Sequence, residues 1–153
     1  MNVELKLVNK RHCELLYEWA NDELVREHAF NTEQIDYGEH KKWFENKINS
    51  PNTYIYIAYI EEIAIGQIRI DIEDDIGFID YSIDKEYRGK GYGTTILKKI
   101  VEKFVTKDKV VKMLVGKVKI KNTASQKAFK NSGYTRNTKN DTIEYYINLT
   151  KDN

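Results

Sequence analysis

The spacing of hydrophobic and polar residues changes several times along the chain, and each change predicts a different element. Near the N-terminus, VELKLV alternates apolar and polar positions and predicts a half-buried strand. HCELLYEWAND then carries Leu15, Leu16 and Trp19 at helical spacing, and ELVREHAF can add a short helix. The chain therefore begins with a strand that leads into helix.

A longer helix is predicted for DYGEHKKWFENKI. Asp36 and Glu39 stand three residues apart at its start, which is typical of a capped helix N-terminus. Trp43, Phe44 and Ile48 fall on one face, which predicts burial of that face.

Three β-rich runs follow, TYIYIAYI, AIGQIRIDIE and GFIDYSID. Only the short acidic breaks EE and DD separate them. Breaks of this length suit hairpins, so the three runs predict an antiparallel meander.

The last third alternates helix and strand. A helix is predicted to begin near Gly93, with an apolar stripe formed by Ile96, Leu97, Ile100, Val101 and Phe104. VVKMLVGKVKI predicts a strand, NTASQKAFKNSG a short helix ended by Gly133, and TIEYYINL a final strand. The order expected is strand, two helices, three strands, helix, strand, helix, strand. This is an α+β fold around one mixed sheet, in a single domain over residues 1–153.

Composition narrows the function classes. The 25 basic and 24 acidic side chains leave a formal charge of +1, which argues against a dedicated nucleic-acid binder. No apolar run resembles a signal-peptide core or reaches membrane-spanning length, so no membrane partner is expected. Cys13 is the single cysteine; it can form no internal disulfide, is expected to be a small buried hydrophobe, and fits a reducing cytoplasm.

The stretch YRGKGYG contains three of the eight glycines, on alternate positions, directly before a predicted helix. Glycine there carries an entropy cost, so a ligand that approaches the main chain is expected. A helix N-terminus supplies free N–H groups and a positive dipole end, and Arg88 and Lys90 add charge. The stretch is therefore interpreted as a pyrophosphate site.

A glycine-rich stretch of this kind has three other interpretations. A P-loop requires Ser or Thr directly after the lysine, and Gly91 follows Lys90. A dinucleotide fingerprint requires glycine three residues after Gly91, where Thr94 stands, and it should follow a βαβ strand instead of a meander. A glycine-rich turn without a ligand remains the simplest alternative.

Two motifs together resemble the GNAT N-acetyltransferases. YRGKGYG is similar to their [QR]xxGx[GA] acetyl-CoA loop, and VKIKNTASQKAFKNSGY resembles their second signature, a strand followed by N-x-x-[AS], a short helix and G-[FY]. The resemblance covers essentially the whole chain. It implies a GNAT-type domain with a splayed strand pair, helices on both faces of the sheet, and acetyl-CoA as co-substrate without a metal.

The resemblance also implies site residues. Backbone amides of the loop would hold the CoA pyrophosphate, from Arg88, Gly89, Lys90, Gly91, Tyr92, Gly93 and Thr94. The main chain of Ile83 would pair with pantetheine, and its N–H would stabilise the oxyanion. Asn122 would bind the pantetheine arm, and Ser125 and Phe129 would line it. Plain helix capping is the alternative for Asn122 and Ser125.

One position departs from the family pattern. Many members carry a tyrosine seven residues after the asparagine, proposed to protonate the CoA thiolate, and here Phe129 stands there. Either protonation is dispensable or another hydroxyl serves; the candidates are Tyr81, Ser82, Tyr145 and Tyr146. The proton of the attacking amine could leave through His40, Asp80 or water. A carboxylate held by a neighbouring strand is the equal alternative for Asp80.

The N-terminal half indicates the chemical class of the acceptor. WxNDxxVR, the later H-x-x-W and the strand G-Q-[IV]-R resemble GNAT domains that act on nucleotide-linked amino sugars in nonulosonic-acid biosynthesis (pseudaminic or legionaminic type). Arg26, His40 and Trp43 would then lie near the sugar diphosphate, with core packing as the alternative for Trp43 and His40. A sugar amine is less basic than lysine, which suits a site without an obvious strong base. A protein N-terminus, a polyamine or a non-catalytic acyl-CoA-binding module are the other candidates, and a homodimer is left open.

Overall fold

The protein, in a computed structural model, is described over residues 2–107, 110–139 and 142–149. The elements are β1 (Val3–Leu7), α1 (Cys13–Ala20), α2 (Glu23–His28), α3 (Tyr37–Ile48), β2 (Thr53–Ile60), β3 (Ile63–Glu73), β4 (Ile76–Ile83), α4 (Tyr92–Lys107), β5 (Met113–Lys119), α5 (Thr123–Asn131), β6 (Thr135–Lys139) and β7 (Thr142–Asn148). Short 3₁₀ turns, Lys10–His12 and Lys85–Tyr87, precede α1 and follow β4.

One seven-stranded sheet contains every strand of the described residues, in the order β1-β2-β3-β4-β5-β7-β6. All neighbours are antiparallel except β4 and β5, which run parallel. The predicted meander forms β2, β3 and β4. Its acidic breaks are two-residue turns, and Glu61 and Asp74 adopt positive φ at their first positions. The α+β fold and the mixed sheet are confirmed.

The parallel pair is splayed. β4 and β5 are in register only from Ile76 to Ile79 and from Met113 to Gly116. Beyond that point β4 continues to Ile83 beside β3, while β5 continues to Lys119 beside β7. The sheet therefore opens into a V whose apex lies at Ile79 and Gly116.

Helices cover both faces of the sheet because neighbouring residues of a strand point to opposite sides. On one face Ile57 and Ile55 of β2 pack with α1 and α3, against Leu16, Trp19 and Phe44. On the other face the stripe of α4 packs with the sheet, and Ile96, Leu97 and Ile100 are fully buried. Each such side chain contributes about 1.5–3 kcal/mol through its removal from water.

Local features of the helices explain their limits. Asp36 caps α3 by accepting from the Glu39 N–H at 3.2 Å, as its spacing predicted. The early chain holds three α-helices, not two, because Asp22 caps a separate α2 through the N–H groups of Leu24 and Val25. Gly133 follows α5 with a φ of 88°, which ends that helix.

Some boundaries differ from the prediction. β6 was not predicted, because TRNTK is polar and lacks an apolar face; its pairing with β7 supplies the structure. The predicted strand over residues 110–120 contracts to Met113–Lys119. Cys13 is half-exposed at the start of α1 and not buried as expected.

Candidate active site

A cavity of about 690 Å³ occupies the V between β4 and β5 and is called the first cavity below. The free ends of both strands line it, together with the glycine loop, the start of α4, α2 and α5. Among the predicted site residues, those lining it are Arg26, Asp80, Ile83, Arg88, Gly89, Gly91, Tyr92, Gly93, Thr94, Asn122, Ser125 and Phe129. The sheet thus places the two sequence motifs on opposite walls of one space.

The glycine loop exposes its main chain to this cavity. Gly89 and Gly91 have φ values of 75° and 84°, which side chains rarely tolerate, so glycine is required there. A Cβ at Gly89 would meet no described atom within 4 Å, so the surface beside it is open. The N–H groups of the first turn of α4 have no acceptors within the helix. This is a surface on which an anion can lie against the backbone.

The end of β4 presents a backbone donor to the V. The N–H of Asp84 donates to the Ile65 carbonyl at 2.8 Å and therefore points towards β3. Because successive N–H groups of a strand point in opposite directions, the N–H of Ile83 points away from β3, into the gap on the β5 side. This is the direction required for a donor to a molecule lying between the strands.

The two basic residues of the loop have partners within the protein. Arg88 donates from Nη2 to Asp22 at 2.7 Å and from Nε to the Ile83 carbonyl at 3.0 Å. Lys90 lies 5.7 Å from the ring centre of Tyr87. The charge of Arg88, which was expected to face the pyrophosphate of a ligand, therefore faces the Asp22 carboxylate of the protein itself.

Helix α5 forms the opposite wall. Asn122 caps it by accepting from the Ser125 N–H at 3.1 Å, as the capping alternative proposed. The Ser125 hydroxyl lies 2.9 Å from the Tyr81 hydroxyl. Burial raises the pKa of Tyr81 to about 12, although the hydrogen bond to Ser125 opposes the shift. The Tyr81 phenol therefore stays protonated at neutral pH.

Phe129 is clamped at the apex of the V. Its ring stacks on Tyr145 at 5.2 Å and meets the edges of Tyr134 and Tyr81 at 5.0 and 5.8 Å between ring centres. A Cβ at Gly116 would overlap the tip of this ring. Of the four hydroxyls considered as substitutes for the missing tyrosine, Tyr81 and Ser82 line the first cavity, whereas Tyr145 and Tyr146 line neither cavity described here.

A second cavity of about 460 Å³ lies on the α1–α3 side of the sheet. Its aromatic and polar lining comes from Trp19, Arg26, Glu39, His40, Trp43, Gln67, Arg69, Asp80 and Ser82. Val25, Arg26, Asp80 and Ser82 line both cavities, so the two spaces meet at the free end of β4. All three residues predicted to contact the acceptor line the second cavity.

Two of the side chains predicted to contact the acceptor, Arg26 and His40, already have hydrogen-bond partners within the protein. Arg26 donates from Nε to the Ala20 carbonyl at 2.6 Å, and from Nη1 to the carbonyls of Asn31 at 2.9 Å and Glu33 at 3.2 Å. His40 is only 3% exposed, and its Nε2 donates to the Cys13 carbonyl at 3.0 Å. Burial lowers the pKa of His40, although that hydrogen bond opposes the shift. His40 is therefore neutral at pH 7.

Asp80 stands at the junction of the cavities with a side chain that is 53% exposed. Arg69 donates to it at 3.2 Å and to Asp71 at 2.8 Å, while its guanidinium lies 5.0 Å from the Trp43 ring centre. Burial works against the charge of Arg69, but the two carboxylates outweigh it and raise the pKa of Arg69. This contact agrees with the alternative in which a neighbouring strand holds the Asp80 carboxylate. The exposed part of the Asp80 side chain still faces the cavities.

Trp19, Arg69 and Gly116 were not named as site residues from the sequence, although Trp19 begins the WxNDxxVR motif and Arg69 ends the G-Q-[IV]-R motif. Trp19 and Arg69 are brought together in the lining of the second cavity, whereas Gly116 lies at the apex of the V against the ring of Phe129. The alternation of β3 is a further signal, because it places Arg69 on the face of Ile55 and Ile57.

The family assignment follows from the whole sequence. The profile of the family described as acetyltransferase (GNAT) domain matches residues 2–135. The chain belongs to the GNAT acetyltransferase family. It is accordingly an N-acetyltransferase with acetyl-CoA as co-substrate. No curated protein sequence gives a significant match.

Solved structures share the fold at low sequence identity. A spermidine N-acetyltransferase from Vibrio cholerae, in complex with CoA and spermine, superposes with a TM-score of 0.85 at 14% identity, covering 96% of this chain and 95% of its own. RimL, a ribosomal-protein alpha-N-acetyltransferase with bound CoA, gives 0.83 at 15% identity, covering 97% and 94%. An aminoglycoside acetyltransferase with coenzyme A and kanamycin gives 0.81 at 18% identity, covering 96% and 95%.

Two general properties complete the description. Among the described residues, no group of three or more His, Cys, Asp or Glu side chains is arranged to hold a metal ion. Within the same residues, no helix has the length and apolar character needed to cross a bilayer.

Proposed function

We propose that this acetyltransferase moves the acetyl group of acetyl-CoA to the primary amine of a nucleotide-linked amino sugar. The observation that carries the proposal is the meeting of two cavities at the free end of β4, where Asp80 and Ser82 line both. A donor in the first cavity and an acceptor in the second would bring their reacting atoms together there.

The first cavity would hold acetyl-CoA. Its diphosphate would lie on the backbone amides between Arg88 and Thr94. The positive φ values of Gly89 and Gly91 require glycine there, so no side chain at these two positions would stand between the diphosphate and the main chain. Pantetheine would run along the free edge of β4 towards the apex. Asn122 and Ser125 would border it, and Phe129 would close it as a wall.

The reaction needs a donor to the carbonyl oxygen and a route for one proton. The amine nitrogen bonds to the acetyl carbon, the carbon–sulfur bond breaks with its electron pair on sulfur, and the nitrogen loses a proton. The Ile83 N–H, which points into the V, would stabilise the oxyanion. Asp80 would take up the proton directly or through water, because it is the carboxylate that lines both cavities.

His40 is the weaker candidate for that proton. Its Nε2 hydrogen is committed to the Cys13 carbonyl, and Tyr17, Trp43 and Phe44 surround its ring. We assign it to holding the wall of the second cavity, in contact with Trp43.

The lining of the second cavity supports a sugar. Trp19 and Trp43 offer apolar ring faces, and Arg26 and Arg69 offer cationic groups. The WxNDxxVR, H-x-x-W and G-Q-[IV]-R features support the same class by their resemblance to amino-sugar-nucleotide acetyltransferases.

Other amines remain alternatives of unequal weight. A polyamine requires clustered carboxylates, and only Glu39 and Asp80 line the described cavity, with Asp80 paired to Arg69. A protein N-terminus is the second candidate, since its amine has a modest pKa and RimL shares this fold. The single thiol suits a reducing compartment, and we propose the cytoplasm.

The test is an acetyl-CoA-consumption screen. It compares nucleotide-linked amino sugars, the same amino sugars without the nucleotide, polyamines and peptide N-termini. Turnover should be highest with the nucleotide-linked sugars, because the nucleotide supplies binding energy remote from the reaction. Efficient acetylation of peptides or polyamines with none of sugar nucleotides would overturn the acceptor assignment and leave the acetyltransferase assignment intact.

A further inference from the structure

The segment that links β4 to the glycine loop is tied to the N-terminal helices at two points. Arg88 donates to Asp22, the capping residue of α2, across 66 positions of sequence. Trp19 of α1 donates from its indole N–H to Asp84 at 2.9 Å, across 65 positions. Trp19 lines the second cavity and Arg88 the first, so each contact ties a residue of one cavity wall to a carboxylate behind it.

The Arg88 guanidinium connects two groups of the protein, and we infer that it holds them together instead of binding an external anion. Its guanidinium spans the Ile83 carbonyl and the Asp22 carboxylate, and both side chains are mostly buried, with 28% and 17% exposure. Burial favours a higher pKa for Asp22, but the hydrogen bond and charge of Arg88 and the N–H groups of α2 outweigh it and lower the pKa. Both groups are therefore charged and matched to each other at neutral pH.

We propose that Arg88 is a positioning residue which, through Asp22, fixes the end of β4 and makes the glycine loop and α2 respond together to a bound donor. Arg88 grips the carbonyl of Ile83, the residue whose N–H is assigned to the oxyanion. The inference rests on the proposed location of acetyl-CoA. It differs from the expectation that the Arg88 side chain adds charge for the pyrophosphate.

The first test separates positioning from phosphate binding. Calorimetry with CoA should give Kd values within about threefold of the native protein for Arg88→Met, since its charge is already neutralised by Asp22. Asp22→Asn keeps the α2 cap and frees the guanidinium, so CoA should bind as tightly or more tightly. A loss of about thirtyfold or more in Arg88→Met would identify a phosphate ligand and overturn the proposal.

The second test measures the coupling itself. The probe is adenosine 3′-phosphate 5′-diphosphate, the part of CoA that ends at the diphosphate and lacks the pantetheine arm. In the native protein it should slow amide exchange both in residues 88–95 and in residues 19–28, by about threefold or more in the latter. In Arg88→Met and Asp22→Asn the loop should keep its protection and residues 19–28 should lose theirs.

Two outcomes would contradict the coupling. Equal protection of residues 19–28 in native and variant proteins would show that the ion pair transmits nothing, and so would no protection of these residues in the native protein. Arg88→Lys is the conservative check, because one ammonium cannot span both acceptors in the guanidinium geometry and should behave as Arg88→Met.

The location of acetyl-CoA is tested separately with Gly91→Asp. This change places a side chain and a negative charge at a positive-φ position of the loop, so CoA binding should be lost. Unchanged CoA affinity in Gly91→Asp would reject the proposed location. Tight CoA binding that depends on Gly91 but requires the Arg88 charge would reject the positioning role alone.

Discussion

At the scale of single residues, the apex of the V depends on one glycine. The last residue of β5 that pairs with β4 is Gly116, and the tip of the Phe129 ring occupies the space that a Cβ at Gly116 would take. Tyr145 and Tyr134 hold the ring of Phe129 on two sides, so the ring cannot easily retreat. Phe129, at the position where the family resemblance led us to expect tyrosine, is thus fixed by packing against these rings.

Replacing Gly116 with alanine should lower the free energy of unfolding by about 1–3 kcal/mol, because the added Cβ overlaps a ring that is held in place. Chemical denaturation followed by fluorescence measures the change. Gly38→Ala in α3 is the matched control; its Cβ would meet only the Asp36 side chain, at 3.1 Å, and stability should stay within about 0.5–1 kcal/mol. A neutral Gly116→Ala would mean that the ring relaxes.

The buried His40 gives a pH-dependent prediction. Its pKa is lowered in the folded state, so protonation favours the unfolded chain. The contribution of neutral His40 is present above the unfolded value of about 6.5 and is lost as the pH falls towards the lower folded pKa. Within that window the native protein should lose up to about 1.4 kcal/mol per pH unit more than His40→Leu. Parallel stability curves for the two proteins between pH 7 and 5 would contradict this.

At the scale of elements, Arg26 organises the chain that follows α2. Its guanidinium donates to three carbonyls, one at the end of α1 and the others at residues 31 and 33. Asn21 binds both the N–H and the carbonyl of Ile35 at 2.8 Å. These contacts hold the segment between α2 and α3 against the cavities. These three hydrogen bonds use Nε and Nη1, which is compatible with a further role of Arg26 in acceptor binding.

Arg26→Ala should therefore reduce stability by about 1–3 kcal/mol and speed amide exchange in residues 29–35, because three carbonyls lose a charged donor. Mass-spectrometric hydrogen exchange locates the effect. Arg11→Ala, which removes a guanidinium at an exposed 3₁₀ turn, is the control and should leave residues 29–35 unchanged. If Arg26→Ala raised only the KM of the acceptor, with exchange unaltered, Arg26 would serve the substrate alone.

At the scale of the whole molecule, the proposed function depends on the junction between the cavity in the V and the cavity on the α1–α3 side of the sheet. The junction exists because β4 stays with β3 while β5 stays with β7, so the sheet opens between them. Asp80 lies at that opening and touches Arg69 of the neighbouring strand.

Asp80→Asn should lower kcat by about tenfold or more with any acceptor that turns over, because the amine loses its proton acceptor. The Kd for CoA should stay within about twofold, since the diphosphate loop is untouched. Asp74→Asn, in the exposed β3–β4 turn where φ is 56°, tests for a general effect of charge removal and should leave both values unchanged. Equal kcat values for Asp80→Asn and the native protein would show that water, and not Asp80, accepts the amine proton.

The sequence by itself determined the features that depend on neighbouring residues. The β-rich composition of β2 to β4, the acidic two-residue turns and the caps at Asp36 and Asn122 are local, so their patterns predicted the elements. The glycine loop was also visible, because its backbone conformation requires glycine at fixed positions.

Only the tertiary structure decided which side chains meet. Arg88 and Asp22 are 66 positions apart, and nothing local predicts that the guanidinium faces a carboxylate of the protein instead of an anionic ligand. The burial of His40, the ring of Phe129 against Gly116 and the polar strand β6 follow in the same way from contacts between distant segments. Periodicity specifies which face of an element is apolar, but the partner of a polar side chain is fixed by the packing of the whole sheet and its helices.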